Sequence, residues 1–372
     1  MAVGGDMAGS KDMSTARQPA ADVAARDAFA GRLLQMTTGA LELFHVYAGY
    51  RLGLYTQVAD HGPLTGTELA QRAGISERYS REWLEQQAVA GVLTVDEAHR
   101  FRLPAGHAEV LTDPESLSFL APLSTGVVSI GAVMPQVLEA FRSGGGVPYE
   151  AYGEDMRSSI AELNRPGFLK LLGTQWFPAI PELDARLRAD PPALVADVGC
   201  GTGWSSIGIA KAYPKVTVHG FDLDAASINE ARRNAGKSGV ADRVKFAIRD
   251  AADPGLAAKF DVVTAFETIH DMSHPVGALQ AMRGLVREGG FVVIADEKVA
   301  EEFMAPGDDL ERLMYGWSAL HCLAVGMVEA DSAGTGTVMR PSRLREYARA
   351  AGFADVEVLP VEADLWRFYR LV

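Results

Sequence analysis

Apolar positions recur at two different periods along this chain, and the change of period divides it. From about Asp27 to Leu54, residues Leu33, Leu34, Leu41, Leu43, Phe44 and Tyr47 return at spacings of one, three, four and seven. That spacing predicts a helix with one apolar face. "TGTELAQRAG" predicts a short helix closed by Gly74, and "SERYSREWLEQQAVAGV" a second one with Ser76 as N-cap and Glu77 in its first turn. "VLTVDEAHRFRL" predicts a small hairpin turning near Asp96 and Glu97. Helix, turn, helix, hairpin is the outline of a winged helix. Residues 112–186 are mostly helical in pattern. They are broken by "SGGGVPYEAYG", Ser143 to Gly153, which reads as a joint or a loop over a site.

From Pro192 the period shortens. "ALVADVG", "VTVHGFDLD", "VKFAIRD", "FDVVTAFE" and "FVVIADE" are short apolar runs that each end in polar or acidic residues. Helical stretches such as "SSIGIAKAY", "AASINEARRNAGKSG" and "PVGALQAMRGLVREGG" lie between them. Alternation of this kind predicts an α/β fold with a mostly parallel sheet covered on both faces. "DVEVLP" and "WRFYRLV" lie close together at the end and predict an antiparallel edge. The expected division is a disordered tail over 1–22, an α-rich winged-helix domain over 23–111, a helical cover over 112–186, and the α/β domain over 187–372.

Composition narrows the function classes. Of 372 residues, 48% are apolar and 22% charged, enough for packed cores. A formal charge of −13 argues against nucleic acid or an acidic membrane as the main partner. The two cysteines, Cys200 and Cys322, supply no disulfide framework and no metal cluster, so a cytoplasmic protein without a metal is expected. The first 22 residues contain no apolar signal core. The least charged stretch, "FLAPLSTGVVSIGAVMPQ" from Phe119, is marginal in length for a bilayer and is interrupted by Pro122 and Pro135, so a buried helix pair is expected there.

The chemistry concentrates in "VADVGCGTGW", residues 195–204, a buried strand running into Gly199, Gly201 and Gly203. Ligands of open α/β sheets bind at the carboxyl ends of the strands. The dinucleotide fingerprint requires a third glycine at position 204, where Trp204 stands; no Gly-Lys-Ser/Thr follows for a phosphate loop. Asp197 just before the turn is also unsuited to a pyrophosphate. A cationic ligand without phosphate fits these charges better. S-adenosylmethionine (SAM) carries a sulfonium and an amino group that acids suit, and ribose hydroxyls that a carboxylate can accept from. "VADVGCGTG" is similar to the first motif of the class I SAM-dependent methyltransferases, and the later motifs follow in order. The resemblance implies that Asp197, Gly199 and Gly201 border the cofactor, with Asp222 and Leu223 at the ribose. It puts Asp250 and Ala251 at the adenine, and Phe266 at the end of the fourth strand beside the methyl group.

The whole chain after the tail resembles the bacterial winged-helix branch of that family, related in plan to the small-molecule O-methyltransferases. "GGGVPYEAYG", "NRPGFLKLLG", "IHDMSHPVGALQAMRGLV" and "WRFYRLV" carry the likeness. It implies methyl transfer to a small-molecule acceptor, with S-adenosyl-L-homocysteine as product. Oxygen is the favoured acceptor atom; nitrogen and carbon remain open. His270, followed by Asp271, maps onto the family's general base, although Met272 replaces the aromatic residue that commonly follows. Glu267 is expected to border the cofactor. Trp176, Glu297, Tyr315 and His321 are candidates for the acceptor pocket from their place in the chain. The winged helix is read as a dimerisation module that walls the pocket. Two alternatives stay open: a SAM-binding enzyme of the same fold that transfers no methyl group, and a SAM-sensing DNA-binding regulator. The candidate recognition helix sets Arg78 and Arg81 against Glu77, Glu82 and Glu85, which speaks against the regulator.

Overall fold

A computed structural model describes residues 20–249 and 258–372. The N-terminal part begins with a long helix, α1 (Ala20–Arg51), followed by α2 (Leu54–His61), α3 (Gly66–Ala73) and α4 (Glu77–Val89). The hairpin β1 (Thr94–Val95) and β2 (Phe101–Arg102) completes the winged helix, and α5 (Ala105–Thr112) leads out of it. The start of α3 is fixed by a capping box: Thr65 Oγ1 accepts from the Glu68 N–H, and the Glu68 carboxylate accepts from the Thr65 N–H at 2.8 Å. Gly74 closes α3 in the left-handed conformation, as its sequence predicts. Ser76 precedes α4 in extended backbone, but its side chain makes no capping bond. Leu54, Tyr55, Leu69, Trp83, Leu84 and Phe101 form the core of this part.

Two long helices follow, α6 (Leu123–Ser143) and α7 (Gly153–Lys170). The stretch expected to hold a broken helix pair instead runs as one helix from Leu123 through Pro135. By length and composition alone, α6 could cross a membrane. In the structure its Ile130, Val133 and Val137 are buried against Val147, Tyr152, Met156 and Ala324. A π-helical turn, Leu172–Trp176, and α8 (Pro181–Arg188) then lead to the sheet.

Among the described residues the sheet has seven strands. They are β3 (Leu194–Val198), β4 (Thr217–Asp222), β5 (Val244–Ile248), β6 (Phe260–Phe266), β7 (Val286–Glu297), β8 (Val356–Val358) and β9 (Trp366–Leu371), in the order β5-β4-β3-β6-β7-β9-β8. The pairs from β5 to β7 are parallel; β9 pairs antiparallel with β7 and with β8. Strands with both faces covered read as continuous apolar runs, which is why they were legible in the sequence. The helices packed on its faces are α8, α9 (Trp204–Ala212), α10 (Ala225–Lys237), α11 (Pro275–Leu285) and α14 (Pro341–Ala350), whereas α12 (Asp309–Trp317) leads into α13 (Leu323–Gly326), whose Ala324 packs with α6. The helix expected to run through "VREGG" ends at Leu285, and β7 starts at Val286. Its register against β6 shifts between Phe260, which pairs with Val286, and Val262, which pairs with Phe291, so three extra residues of β7 bulge out before the buried run Phe291–Asp296.

Candidate active site

The strand order reverses beside β3, so α9, which follows β3, and α11, which follows β6, pack on opposite faces of the sheet and leave a crevice at the carboxyl ends of the two strands. A cavity of about 980 Å³ lies there. Its floor is the turn Gly199–Thr202, one side is Phe221 to Asp224, another is Phe266 to Thr268, and its roof is formed by Tyr149, Arg157, Asn164 and Phe168 from α7 and the turn before it. The glycines are sterically required. Gly199 has φ +67°, and a Cβ there would stand 2.2 Å from Thr268 Oγ1. Gly203 has φ +84°, and a Cβ would meet Phe246 at 2.5 Å. Gly201, at φ +49°, has no atom within 4 Å of a would-be Cβ, so it presents bare backbone to open space.

Asp222 braces this turn. Its Oδ2 accepts from the Gly201 N–H and its Oδ1 from the Asp224 N–H, both at 2.8 Å. Burial pushes the Asp222 carboxyl up from its ordinary range, while the N–H groups of Asp224 and Gly201 pull it back. The Leu223 N–H also reaches the carboxylate, and Asp222 lines the cavity together with the exposed Leu223 side chain. Arg157 closes one corner by pairing with Asp224 at 3.0 Å. Asp197 is placed differently. It lies beneath the turn, where Ser205 and Ser206 donate to Oδ2 at 2.6 Å each and Thr264 donates to Oδ1 at 2.9 Å. It is buried and is not among the cavity-lining residues; it ties β3 to α9 and β6. Asp250 and Ala251 lie outside the described residues.

Beyond β6 the wall turns acidic. Phe266 and Glu267 line the cavity. Glu267 has φ +49°, a conformation that costs a residue with a side chain about 1–3 kcal/mol and persists only where the surroundings impose it. The Asn164 amide and the Trp366 indole N–H supply that restraint by donating to its two carboxylate oxygens. Glu297 is buried beside it, and burial together with Glu267 pushes the Glu297 carboxyl well above the usual range. One buried Glu297 oxygen has no partner.

His270 stands in a single helical turn, Ile269–Asp271, directly after β6. The imidazole is buried behind the cavity wall formed by Asp271 and Met272. Its Nδ1 meets Oδ1 of Asp296, the penultimate residue of β7, at 2.8 Å. The ring also contacts the Cys322 thiol. Burial opposes charge on the imidazole, but Asp296 and Cys322 outweigh it and hold the His270 pKa well above its ordinary value. Burial pushes the neighbouring Asp271 up to about 7.

The four acceptor-pocket candidates scatter, and none lines the cavity. Trp176 is buried among Phe168, Trp366 and Phe368 in the core. Tyr315 is exposed and accepts from Arg340. Glu297 lies beside Glu267, and His321 is buried against Tyr152 and Cys322. Residues missed in the sequence are Asp296, Cys322, Asn164 and Tyr149. Asp296 had one visible signal, an acid ending a buried strand, which was read at Glu297 instead.

Residues 192–344 match a family model described as a methyltransferase domain, and residues 40–113 match an Rv2258c-like winged HTH domain. The chain is 34% identical over 116 residues to the O-methyltransferase resE of Aspergillus sclerotiorum, which covers 31% of this chain and 44% of that protein. Across the curated relatives it matches, it spans from about a quarter to two thirds of their length. Among solved structures, the mitomycin 7-O-methyltransferase MmcR superposes with a TM-score of 0.69 over 94% of this chain and 99% of that one, at 19% identity. The O-methyltransferase NcsB1 of neocarzinostatin biosynthesis, solved with S-adenosyl-L-homocysteine and 1,4-dihydroxy-2-naphthoic acid, superposes with a TM-score of 0.61 over 89% and 95%, at 17% identity. The chain therefore shares the fold of these O-methyltransferase structures, and within it residues 192–344 match a methyltransferase domain and residues 40–113 a winged helix-turn-helix domain.

Proposed function

We propose that this protein transfers the methyl group of SAM to a hydroxyl of a small molecule, with His270 as the base and S-adenosyl-L-homocysteine as the second product. The observation that carries the reading is the juxtaposition of a glycine-turn cavity braced by Asp222 with a buried Asp296–His270 pair at the end of the next strand. The cavity suits SAM. Bare backbone at Gly201 admits a close ligand, the Asp222 carboxylate lines the cavity where ribose hydroxyls can donate to it, and the Glu267 and Asp271 carboxyls, raised by burial, can ionise against a bound cation. SAM, when bound, supplies an already activated methyl group, so the protein's own residues must align the acceptor and exclude water. Phe168, Phe266, Tyr149 and Met272 provide an apolar wall for a planar acceptor. Asp296 fixes the imidazole through Nδ1 and so selects its tautomer. Asp197 serves the same chemistry indirectly, by holding the glycine turn on β3.

The domain division expected from the sequence belongs to this proposal, as does a homodimer. Phe29, Leu33, Leu34, Met36, Leu41 and Phe44 of α1 are exposed, an apolar surface suited to a second copy. On α4, Arg78 pairs with Glu82 and Arg81 with Glu77, so its cations are already engaged within the helix, which supports a cytoplasmic metabolic enzyme over a nucleic-acid reader. The test is incubation with methyl-labelled SAM and a panel of hydroxylated aromatic compounds. Label in an organic-extractable methyl ether supports the reading. SAM bound but left intact across the panel would favour an enzyme of this fold that transfers no methyl group.

A further inference from the structure

Two acid-bearing strand ends meet on the side of the cavity opposite the ribose acid. Asp222 ends β4, on one side of β3, whereas β6 and β7 lie on the other. Glu267 follows β6 directly, and its N–H donates to the Ala295 carbonyl of β7 at 2.9 Å. Glu297 ends β7 and stands opposite Trp366 in the register of β9. The same Trp366 donates its indole N–H to one Glu267 oxygen, and Asn164 of α7 donates its amide to the other. An amide and an indole are neutral donors, so they aim the Glu267 carboxylate without cancelling its charge. The cations that line the cavity are engaged elsewhere. Arg157 pairs with Asp224 and His274 with Glu329, while the N–H of Arg249 bonds the Asp222 carbonyl on the ribose side. Glu267 and Asp271 therefore line the cavity with no Lys or Arg paired to them among the described residues. SAM offsets one acid only, because its ammonium and carboxylate cancel and its sulfonium remains. Donors are short as well as charge: Glu297 Oε2 and Asp296 Oδ2 are buried without a partner, and a carboxylate oxygen left so is costly. Phe168 and Phe266, edge to face at 5.2 Å, make the wall beside Glu267 apolar, where an ion pair is stronger than in water.

We propose that the acceptor carries a protonated amine besides its aromatic hydroxyl, and that Glu267 is the specificity-determining residue that receives the ammonium. The inference rests on the hydroxyl-methylating reading above, which leaves the charge of the acceptor undefined. An ammonium supplies what this end of the cavity lacks, positive charge and N–H donors together. Glu267 is assigned to the acceptor and not to the cofactor because Trp366 and Asn164 draw its carboxylate toward β9 and α7, away from Asp222 on β4. Burial raises the Glu267 carboxyl, and Trp366, His270 and Asn164 oppose that rise; an arriving ammonium adds to their side and favours the ionised form. Anchored at its charged end, the acceptor has its ring fixed along Phe168 and Phe266, which is the alignment that transfer from an already activated methyl group requires.

The experiment is calorimetry on the full-length protein saturated with S-adenosyl-L-homocysteine. It compares three phenols of similar shape at neutral pH: tyramine, 4-propylphenol and 3-(4-hydroxyphenyl)propionate, whose side chains end in an ammonium, a methyl group and a carboxylate. Tyramine is expected to bind about 10- to 150-fold tighter than 4-propylphenol, the usual worth of a hydrogen bond to a charged group, and the carboxylate to bind weakest. In Glu267→Gln the advantage of tyramine should disappear, while the affinities for 4-propylphenol and for S-adenosyl-L-homocysteine stay as they are. Should that variant fail to fold, Glu267→Asp keeps the charge but shortens its reach, and the same loss of preference is expected. No binding of tyramine, equal affinity for tyramine and 4-propylphenol, or a preference unchanged by the substitution would each overturn the proposal. Weaker S-adenosyl-L-homocysteine binding in Glu267→Gln with the tyramine preference intact would place Glu267 at the cofactor and overturn it too. These are binding measurements and need no turnover. If labelled SAM yields no ether with any phenol, the methyl-transfer reading fails on its own, and the order of affinities still decides whether Glu267 selects a cation.

Discussion

Replacing Asp222 by asparagine isolates its role at the cofactor. Oδ1 and Oδ2 each accept from a backbone N–H at 2.8 Å, and the carboxylate lines the cavity, where the proposal has it accept from the two ribose hydroxyls. Asparagine retains one oxygen. Its NH2 group must point either at the Gly201 N–H or at the Asp224 N–H, donor against donor, so the turn loses one brace as well. A hydrogen bond to a charged group contributes about 1.5–3 kcal/mol. Losing one of the two ribose bonds should therefore weaken SAM binding by roughly 10- to 150-fold, at 1.4 kcal/mol per decade. Burial raises the Asp222 pKa, and only the ionised form accepts from both hydroxyls, so wild-type affinity should fall as pH drops through that raised value and the variant's should not. Isothermal calorimetry with SAM at several pH values is the assay. Equal affinity in a variant that melts like the wild type would refute the placement of the ribose.

Asp296→Ala removes one partner of a buried ion pair and should destabilise the fold by about 3–5 kcal/mol in chemical denaturation. Asp296→Asn keeps the shape and should lower turnover by about 10²–10⁴-fold, the usual worth of a positioned base. Gly199→Ala puts a Cβ into Thr268 at a backbone φ of +67°, and should abolish measurable SAM binding while the winged-helix part stays folded by proteolysis. Asp271 has its folded pKa pushed up to about 7, against about 3.9 unfolded, so the stability it lends is complete below about pH 4 and lost as pH rises to 7. Asp271→Asn should therefore gain on the wild type in melting temperature between about pH 4 and 7, with the difference level above that.

The strands of the sheet were legible because burial on both faces writes an unbroken apolar run, and each run ends where the chain turns back toward solvent; their order in the sheet was not read. The glycine turn was legible for a similar local reason, since Gly199 and Gly203 hold positive φ against crowding neighbours. Asp197 shows where local reading stops. Its place at a strand end suggested a ligand contact, but Ser205 and Ser206, on the first turn of α9, draw the carboxylate under the loop. Nothing in the spacing announces that. His270 was singled out from its place after the fourth strand, whereas Asp296 lies 26 residues on and meets it only because β6 and β7 are parallel neighbours. Cys322 was read only for the absence of a disulfide framework, and its place beside His321 follows from a π turn that the helical period does not announce. Pro135 misled in the opposite direction: it interrupts the pattern but not α6.

The central claim is tested most directly by stoichiometry in a single turnover. Enzyme in excess over methyl-labelled SAM is mixed with a hydroxylated aromatic acceptor, and S-adenosyl-L-homocysteine and methyl ether are counted together by mass spectrometry. One ether formed per S-adenosyl-L-homocysteine, with the rate rising with pH and reduced about 10²–10⁴-fold in His270→Gln, is the expected result. SAM that remains intact although bound, or ether formation at an unchanged rate in His270→Gln, would contradict it.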